Sequence, residues 1–162
     1  MITDTMLVEH QESEEDVAGG VPGEIGAILN WHLAAHVYPQ RLGRLFNAQT
    51  DFDLGAIGRR QPDLAFVALH RLPVNVLDAV PLAPDLAVEV VSKTDRAYDV
   101  DTKVDEYLAA GVGLVWVVRP LRKVVEVYSQ AHPLLRVRTQ ADDLDGDTVL
   151  PGFTLKVATL FP

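Results

Sequence analysis

Two carboxylates and one lysine carry the chemistry that this sequence offers. Glu89 sits mid-run in Asp85-Leu-Ala-Val-Glu-Val-Val91, among aliphatic residues. The alternation and the β-branched side chains predict a strand over Asp85 to Val91. Asp85 and Glu89 are four apart, so on a strand both leave from one face. A half-buried acid is costly unless it is paired, protonated or bound to a metal. A further acid, Asp63, opens a second short β-prone run, Asp63-Leu-Ala-Phe-Val67. Adjacent strands that each carry a carboxylate near one end can hold a divalent cation, and hard oxygen ligands suit Mg2+ or Mn2+. Lys103 lies on the helix expected after Glu89 and can reach the same place. Acid, acid and lysine around such an ion make a phosphodiester hydrolysis site. The metal polarises the phosphate and lowers the pKa of a water, while the lysine neutralises developing charge.

Each of these residues has a plainer reading. Asp99 and Lys103 are spaced i, i+4 and can form a helix-surface pair worth about 0.3–0.5 kcal/mol. Lys103 nevertheless falls between Val100 and Tyr107 in helical angle, at the border of the apolar face. Asp63 can be a strand-start residue. Asp85 reads equally as a turn residue after Pro84 and as an accessory metal ligand. Glu89 is the hardest to explain by structure alone.

The elements that must position these residues follow from periodicity. A helix is predicted over Pro22 to Val37, with Ile25, Ile28, Leu29, Leu33 and Val37 on one face. Glu24 lies near its start, where the helix dipole favours an acid and where it is also a candidate extra ligand. His32 and His36 are spaced i, i+4 but lack the glutamate of a zinc-protease motif, so they read as surface or packing residues. Strands are expected over Leu45 to Leu54 and Gln61 to Leu69, joined by a turn at Gly55 to Gly58. The proline-rich stretch Arg71 to Pro84 reads as a loop that leads back towards the site.

After the central strand, a polar turn leads into a helix from Asp99 that carries Val100, Val104, Tyr107 and Leu108. Gly111 is placed as its left-handed stop. Leu114 to Val118 is an apolar run, as in a strand covered on both faces, with Trp116 and Val117 buried. Further strands are expected over Lys123 to Ser129, Leu134 to Thr139, Thr148 to Leu150 and Phe153 to Val157. Asp143 to Asp147 reads as a turn and not a calcium loop, because Thr148 and Thr154 stand at the positions of that loop's glycine and distal glutamate. The expected organisation is an acidic segment over 1–20 and a single domain over 21–162.

Pro62-Asp63 followed by Glu89-Val90-Val91 resembles the Pro-Asp…(Asp/Glu)-x-Lys pattern of the restriction-endonuclease-like PD-(D/E)XK superfamily. The longer run from Pro84 to Pro120 is similar to the Uma-two family within it. So are Arg59 to Val67 and Val149 to Phe161, and the likeness extends over roughly Met6 to Phe161. Val91 stands where the superfamily lysine would be. The family carries its lysine on the next helix, at the position of Lys103, and Pro22 replaces a histidine usual before the first long helix. The resemblance implies an α/β fold: a restriction-endonuclease-like core with a mixed central sheet flanked by helices and a β-rich C-terminal extension. It implies Mg2+ or Mn2+ as cofactor, DNA as substrate, and Asp63, Glu89 and Lys103 as the catalytic set. The Val90 or Val91 carbonyl would complete the metal shell.

Composition bounds these expectations. The chain has 162 residues, 48% of them hydrophobic, which suffices for one ordinary core. No run is long enough to span a membrane and no signal peptide is visible, so a cytoplasmic location is expected. Without cysteine, disulfides and thiolate metal sites are excluded.

The net charge of −9 argues against a uniformly basic DNA-binding surface. The acids concentrate at residues 1–20 and 142–147, leaving residues 21–140 with thirteen acids and thirteen bases. Arg41, Arg44, Arg59, Arg60, Arg71 and Arg96 form either a basic rim or ordinary solvated charge. Two other readings stand beside the nuclease. One is a non-catalytic interaction or regulatory module, favoured by the acidic ends and a front end shorter than the family's. The other is a hydrolase of a different phosphodiester. Sheet edges left by the β-rich tail point to a homodimer.

Overall fold

The structure, a computed structural model, describes residues 20–162. Apart from Gly20, the acidic segment expected over 1–20 lies outside the described residues. Helix α1 (Gly20–Val37) turns Ile25, Leu29, Leu33 and Val37 inward, as its periodicity requires. Four strands follow: β1 (Gly43–Asn47), β2 (Phe52–Asp53), β3 (Arg59–Arg60) and β4 (Leu64–Ala68). The single strand expected over Leu45 to Leu54 is therefore broken. The Asn47 side chain accepts the Gln49 N–H at 3.2 Å and turns the chain. Beyond the break, β2 pairs with β3 as a separate ribbon.

The centre of the chain is β5 (Leu86–Val90), α2 (Ala97–Ala109) and β6 (Leu114–Arg119), close to the sequence reading. Gly111 has φ +88°, and its N–H donates to the Leu108 carbonyl as the helix ends. After β6 come β7 (Val124–Ser129), β8 (Arg136–Thr139), β9 (Asp143–Asp145) and β10 (Thr154–Lys156). Two expectations for the tail are corrected. Asp143 to Asp145 is a strand, because Leu144 turns into the core and pairs with Leu155. Thr148 to Leu150 is a turn, closed by the Leu150 N–H on the Gly146 carbonyl.

The main sheet has the order β1-β4-β5-β6-β7-β8. Only β5 and β6 are parallel, and α2 is the crossover between them. Side-chain alternation divides the core in two. Leu64, Phe66, Val88, Val90, Trp116 and Val118 pack towards α1, together with Leu144, Phe153 and Leu160 of the tail. Ala65, Val67, Ala87, Val115 and Val117 pack towards Val100, Val104 and Tyr107 of α2. Both faces of β5 and β6 are thus covered, which accounts for the unbroken apolar run of β6. The architecture is the α/β sandwich with a mixed central sheet that the sequence implies. Among the described residues no helix is long and apolar enough to cross a membrane.

Two glycines give a stability test. A Cβ at Gly111 meets nothing within 4 Å, whereas one at Gly43 would lie 2.0 Å from the Val67 carbonyl oxygen of the paired strand. Gly111→Ala should therefore cost only the strain of a positive φ, about 1–2 kcal/mol. Gly43→Ala should cost distinctly more, because backbone must move. Urea denaturation of both variants should give that order, and equal midpoints would contradict the β1–β4 contact.

Candidate metal-binding and catalytic site

The site lies where β4 begins and β5 ends. Asp63 directly precedes β4, and its parity with Ala65 and Val67 directs it to the α2 face. Its Oδ2 accepts the Val90 N–H at 2.6 Å. The last β4–β5 pair is Leu64 with Val88, so the next rung would set Pro62 against Val90. The Asp63 carboxylate occupies the Val90 amide at the position where the ladder stops. Backbone groups alternate in direction along a strand, and the Val91 N–H donates to Val118 of β6. The Val90 carbonyl therefore faces the same side as its N–H, towards Asp63.

Glu89 also faces α2, and the whole residue is 6% exposed. Its Oε2 accepts the Lys103 ammonium at 2.8 Å, and its Oε1 accepts the Tyr107 hydroxyl at 2.7 Å. Lys103 and Tyr107 are one helical turn apart, so one side of α2 supplies both donors. Lys103 does not pair with Asp99 as a helix-surface lysine would; it turns to Glu89, with its side chain 37% exposed.

The electrostatics follow from burial. Desolvation raises the pKa of Asp63, and the Val90 hydrogen bond and the Lys103 charge offset only part of this. Desolvation likewise raises Glu89 against the bonds from Lys103 and Tyr107, and the neighbouring Asp63 charge adds to the rise. Burial acts to lower Lys103, but its bond to Glu89 and the charges of Glu89, Asp63 and Asp95 outweigh it, so the ammonium is held protonated. The Tyr107 hydroxyl is raised by burial and by the same carboxylates, so it remains a donor at neutral pH.

Two desolvated carboxylates thus repel each other, with one ammonium bonded to Glu89 and acting on both, a donor set that suits a divalent cation. Each Glu89 oxygen keeps acceptor capacity beyond its present bond. Among the described residues no group of three His, Cys, Asp or Glu converges on a metal position. The remaining ligands would be the Val90 carbonyl and water, in keeping with the several waters that Mg2+ retains.

Two candidate ligands are not brought here. Asp85 precedes β5, about 13 Å along the strand from Glu89 at the usual rise. Its Oδ1 accepts Arg71 at 2.7 Å and its Oδ2 accepts the Ala68 N–H at 2.8 Å. It shares the parity of Glu89 but stands at the far end of the strand, closing the β4–β5 loop. Glu24 is exposed on α1, which covers the opposite face of the sheet. Neither is placed to join Asp63 and Glu89. His36 ties α1 to the tail through the Pro151 carbonyl at 3.1 Å, the packing role expected of it.

Tyr107 and Asp95 have roles at the site that the sequence pattern does not show. The helical period marks Tyr107 only as a core position, and its spacing from Lys103 is the available signal for more. Asp95 accepts the Ser92 N–H at 2.6 Å in the loop after β5 and adds negative charge beside Lys103. Arg60, one of the arginines expected as a basic rim or as solvated charge, forms a two-pronged pair with Glu106 that holds β3 to α2.

The family model described as Uma2, putative restriction endonuclease, matches residues 12–158. The chain belongs to the Uma2 family. A solved structure similar to this Uma2 chain is that of a putative nuclease belonging to DUF820 from Anabaena variabilis. The two are 20% identical with a TM-score of 0.78, over 89% of this chain and 82% of that one. At that identity the likeness is one of fold. No curated protein matches the chain.

Within this Uma2 site, the Lys103–Glu89 contact has a measurable consequence. Lys103→Ala leaves a buried carboxylate without its cation. Because Lys103 is partly exposed, the expected cost at pH 8 is about 1–2 kcal/mol, below that of a fully buried pair. The loss should shrink as the pH falls. Without the lysine the folded-state pKa of Glu89 rises further above its unfolded value, so protonation stabilises the fold. That contribution is complete below the ordinary glutamate pKa and disappears as pH rises through the folded one. Urea melts at pH 5 and pH 8 should show the smaller deficit at pH 5, and a pH-independent deficit would contradict the buried pairing.

Proposed function

We propose that this chain is a divalent-metal-dependent endonuclease that hydrolyses DNA phosphodiester bonds. The observation that carries the reading is the meeting of Asp63, Glu89 and Lys103 at one end of β4 and β5, with Glu89 buried and Lys103 2.8 Å from it. Asp63, Glu89 and the Val90 carbonyl would hold Mg2+ or Mn2+. When bound, such an ion polarises a phosphoryl oxygen and lowers the pKa of a water.

The chain's own residues do the rest. Asp63 and Glu89 supply negative charge that draws the cation, and the Val90 N–H fixes the Asp63 carboxylate. Tyr107 fixes the orientation of Glu89 through Oε1. Lys103, held protonated, lies beside the charge that develops on the phosphoryl oxygens and stabilises it. Its raised pKa suits this electrostatic role and not that of a general base. Neither Asp85 nor Glu24 is needed.

The test is nicking of supercoiled plasmid with Mg2+ or Mn2+. Lys103→Ala should lose roughly a hundredfold or more in rate, since removing a charge aimed at a developing anion costs about 3 kcal/mol. The assay belongs at a temperature where the variant's melt shows it folded. Glu89→Gln should also be silent but partly rescued by excess Mn2+, because its defect is in metal binding. Equal nicking by wild type and Lys103→Ala would refute the assigned role. Absence of both nicking and metal binding in the wild type would favour the non-catalytic module, and nicking-free hydrolysis of another phosphodiester would favour the third reading.

We also propose a two-fold homodimer, since the six-stranded sheet ends at two edge strands, β1 and β8. Sedimentation at tens of micromolar should give a species of twice 17.8 kDa. A single monomeric species would count against it.

A further inference from the structure

A recess of about 500 Å3 opens beyond the C-terminal ends of the parallel strands β5 and β6. It lies between the first residues of α1, the loop that follows β5 and the turn that follows β6. Val91 and Ser92 form part of its wall, one residue on from the Val90 amide that holds Asp63, so the recess opens at the same end of β5 as the candidate site. The carboxyl ends of parallel strands are where open α/β sheets take their ligands. Its size falls within the ~300–1,000 Å3 range of sites that enclose a small molecule.

Two features define what it would accept. Lys93, Arg119 and Arg122 line it, and no acid does so among the described residues, although the chain as a whole carries a charge of −9. Arg119 is already engaged, with its Nε on Glu126 at 2.7 Å, whereas Lys93 and Arg122 are exposed and take part in no ion pair among the described residues. Ser92 and Thr94 add hydroxyls beside Lys93, and the rest of the wall is apolar, made largely of Pro22, Pro120 and Leu121. Leu121 is 88% exposed at the rim. An anion alone would gain nothing from the apolar wall, and a purely apolar ligand nothing from the cations. A nucleotide satisfies both. A stacked duplex presents its phosphates but keeps its bases inside, and would leave the apolar wall unfilled.

We infer that this recess receives one unstacked nucleotide of the substrate strand next to the scissile phosphate. The base would lie against Pro22, Pro120 and Leu121, with a phosphate at Lys93 and Arg122. The inference rests on the nuclease reading for its substrate and adds that the preferred DNA is single-stranded or locally unpaired. Apolar side chains commonly receive bases taken out of a stack, and basic side chains track the backbone.

The experiment is fluorescence anisotropy of a labelled single-stranded deoxyoligonucleotide, in EDTA so that cleavage plays no part. The full chain should bind the single strand more tightly than the same sequence as a duplex. Lys93→Glu with Arg122→Glu should weaken single-strand binding about tenfold or more and flatten its salt dependence. Leu121→Ser should weaken it roughly fivefold with the salt dependence unchanged. All three residues are exposed, so the variants are expected to fold, and circular dichroism melts check this.

Unchanged affinity in the charge-reversed variant would overturn the inference. Loss on charge reversal with no effect of Leu121→Ser would reduce the recess to a phosphate contact and overturn the nucleotide assignment. Equal binding of duplex and single strand would do the same. Because binding is read without metal, plasmid nicking by the wild type is an independent result. A chain that nicks DNA but binds the oligonucleotide unchanged in the variants refutes the recess alone. One that never nicks yet loses binding in the variants refutes the nuclease reading alone.

Discussion

A carboxylate buried in the middle of a sheet is the constraint around which this molecule is arranged. Glu89 stands on β5, covered by α2, where an ion without partners would be prohibitive. Two donors from one side of α2 make it tolerable, Lys103 on one oxygen and Tyr107 on the other. This arrangement fixes the rotation of α2 about its axis, because Val100, Val104 and Tyr107 must face the sheet while Lys103 reaches Glu89 from the edge. It does not relieve the acid fully: the pKa of Glu89 remains raised. Burial of an imperfectly compensated charge is seldom kept for stability alone, since hydrophobic replacements of such pairs are often neutral or stabilising. It is common where chemistry needs the charge.

The same logic explains Asp63. It is placed at the start of a strand, at the point where the β4–β5 ladder gives out, and accepts an amide that would otherwise lack its partner strand. The result is a second carboxylate on the same face and at the same end of the sheet as Glu89. The parallel pairing of β5 with β6 through α2 then determines what surrounds the pair. The loop after β5, the end of β6 and the beginning of α1 all meet at that end, and the basic recess is the space between them.

Much of this could be read from the chain because the signals were local. The β5-α2-β6 unit was visible in an alternating run, a helical period, a stop glycine and an apolar run, and the structure returns it with shifts of a residue or two. Glu89 is conspicuous because an acid amid valines has no plain structural explanation. What escaped depended on contacts distant in sequence. The sameness of face that linked Asp85 to Glu89 was real, but strand parity says nothing of length. Asp85 is occupied at the other end by Arg71. Glu24 does lie near a helix start, but the face of the sheet that α1 covers cannot be read from its periodicity. Tyr107 looked like one more core aromatic, and only its partner shows that its hydroxyl matters. In the tail, Asp143 to Asp145 carries turn-forming residues, and the single buried Leu144 overrides them.

The proposed function rests on Asp63 and Glu89 forming one cation site beside Lys103. The most direct measurement is the anomalous difference density of a crystal of the full chain soaked in Mn2+. One peak should appear in contact with both carboxylates and be lost in Glu89→Gln. Ordered crystals at saturating Mn2+ with no peak between Asp63 and Glu89, and with Glu89 still bound only by Lys103 and Tyr107, would contradict it.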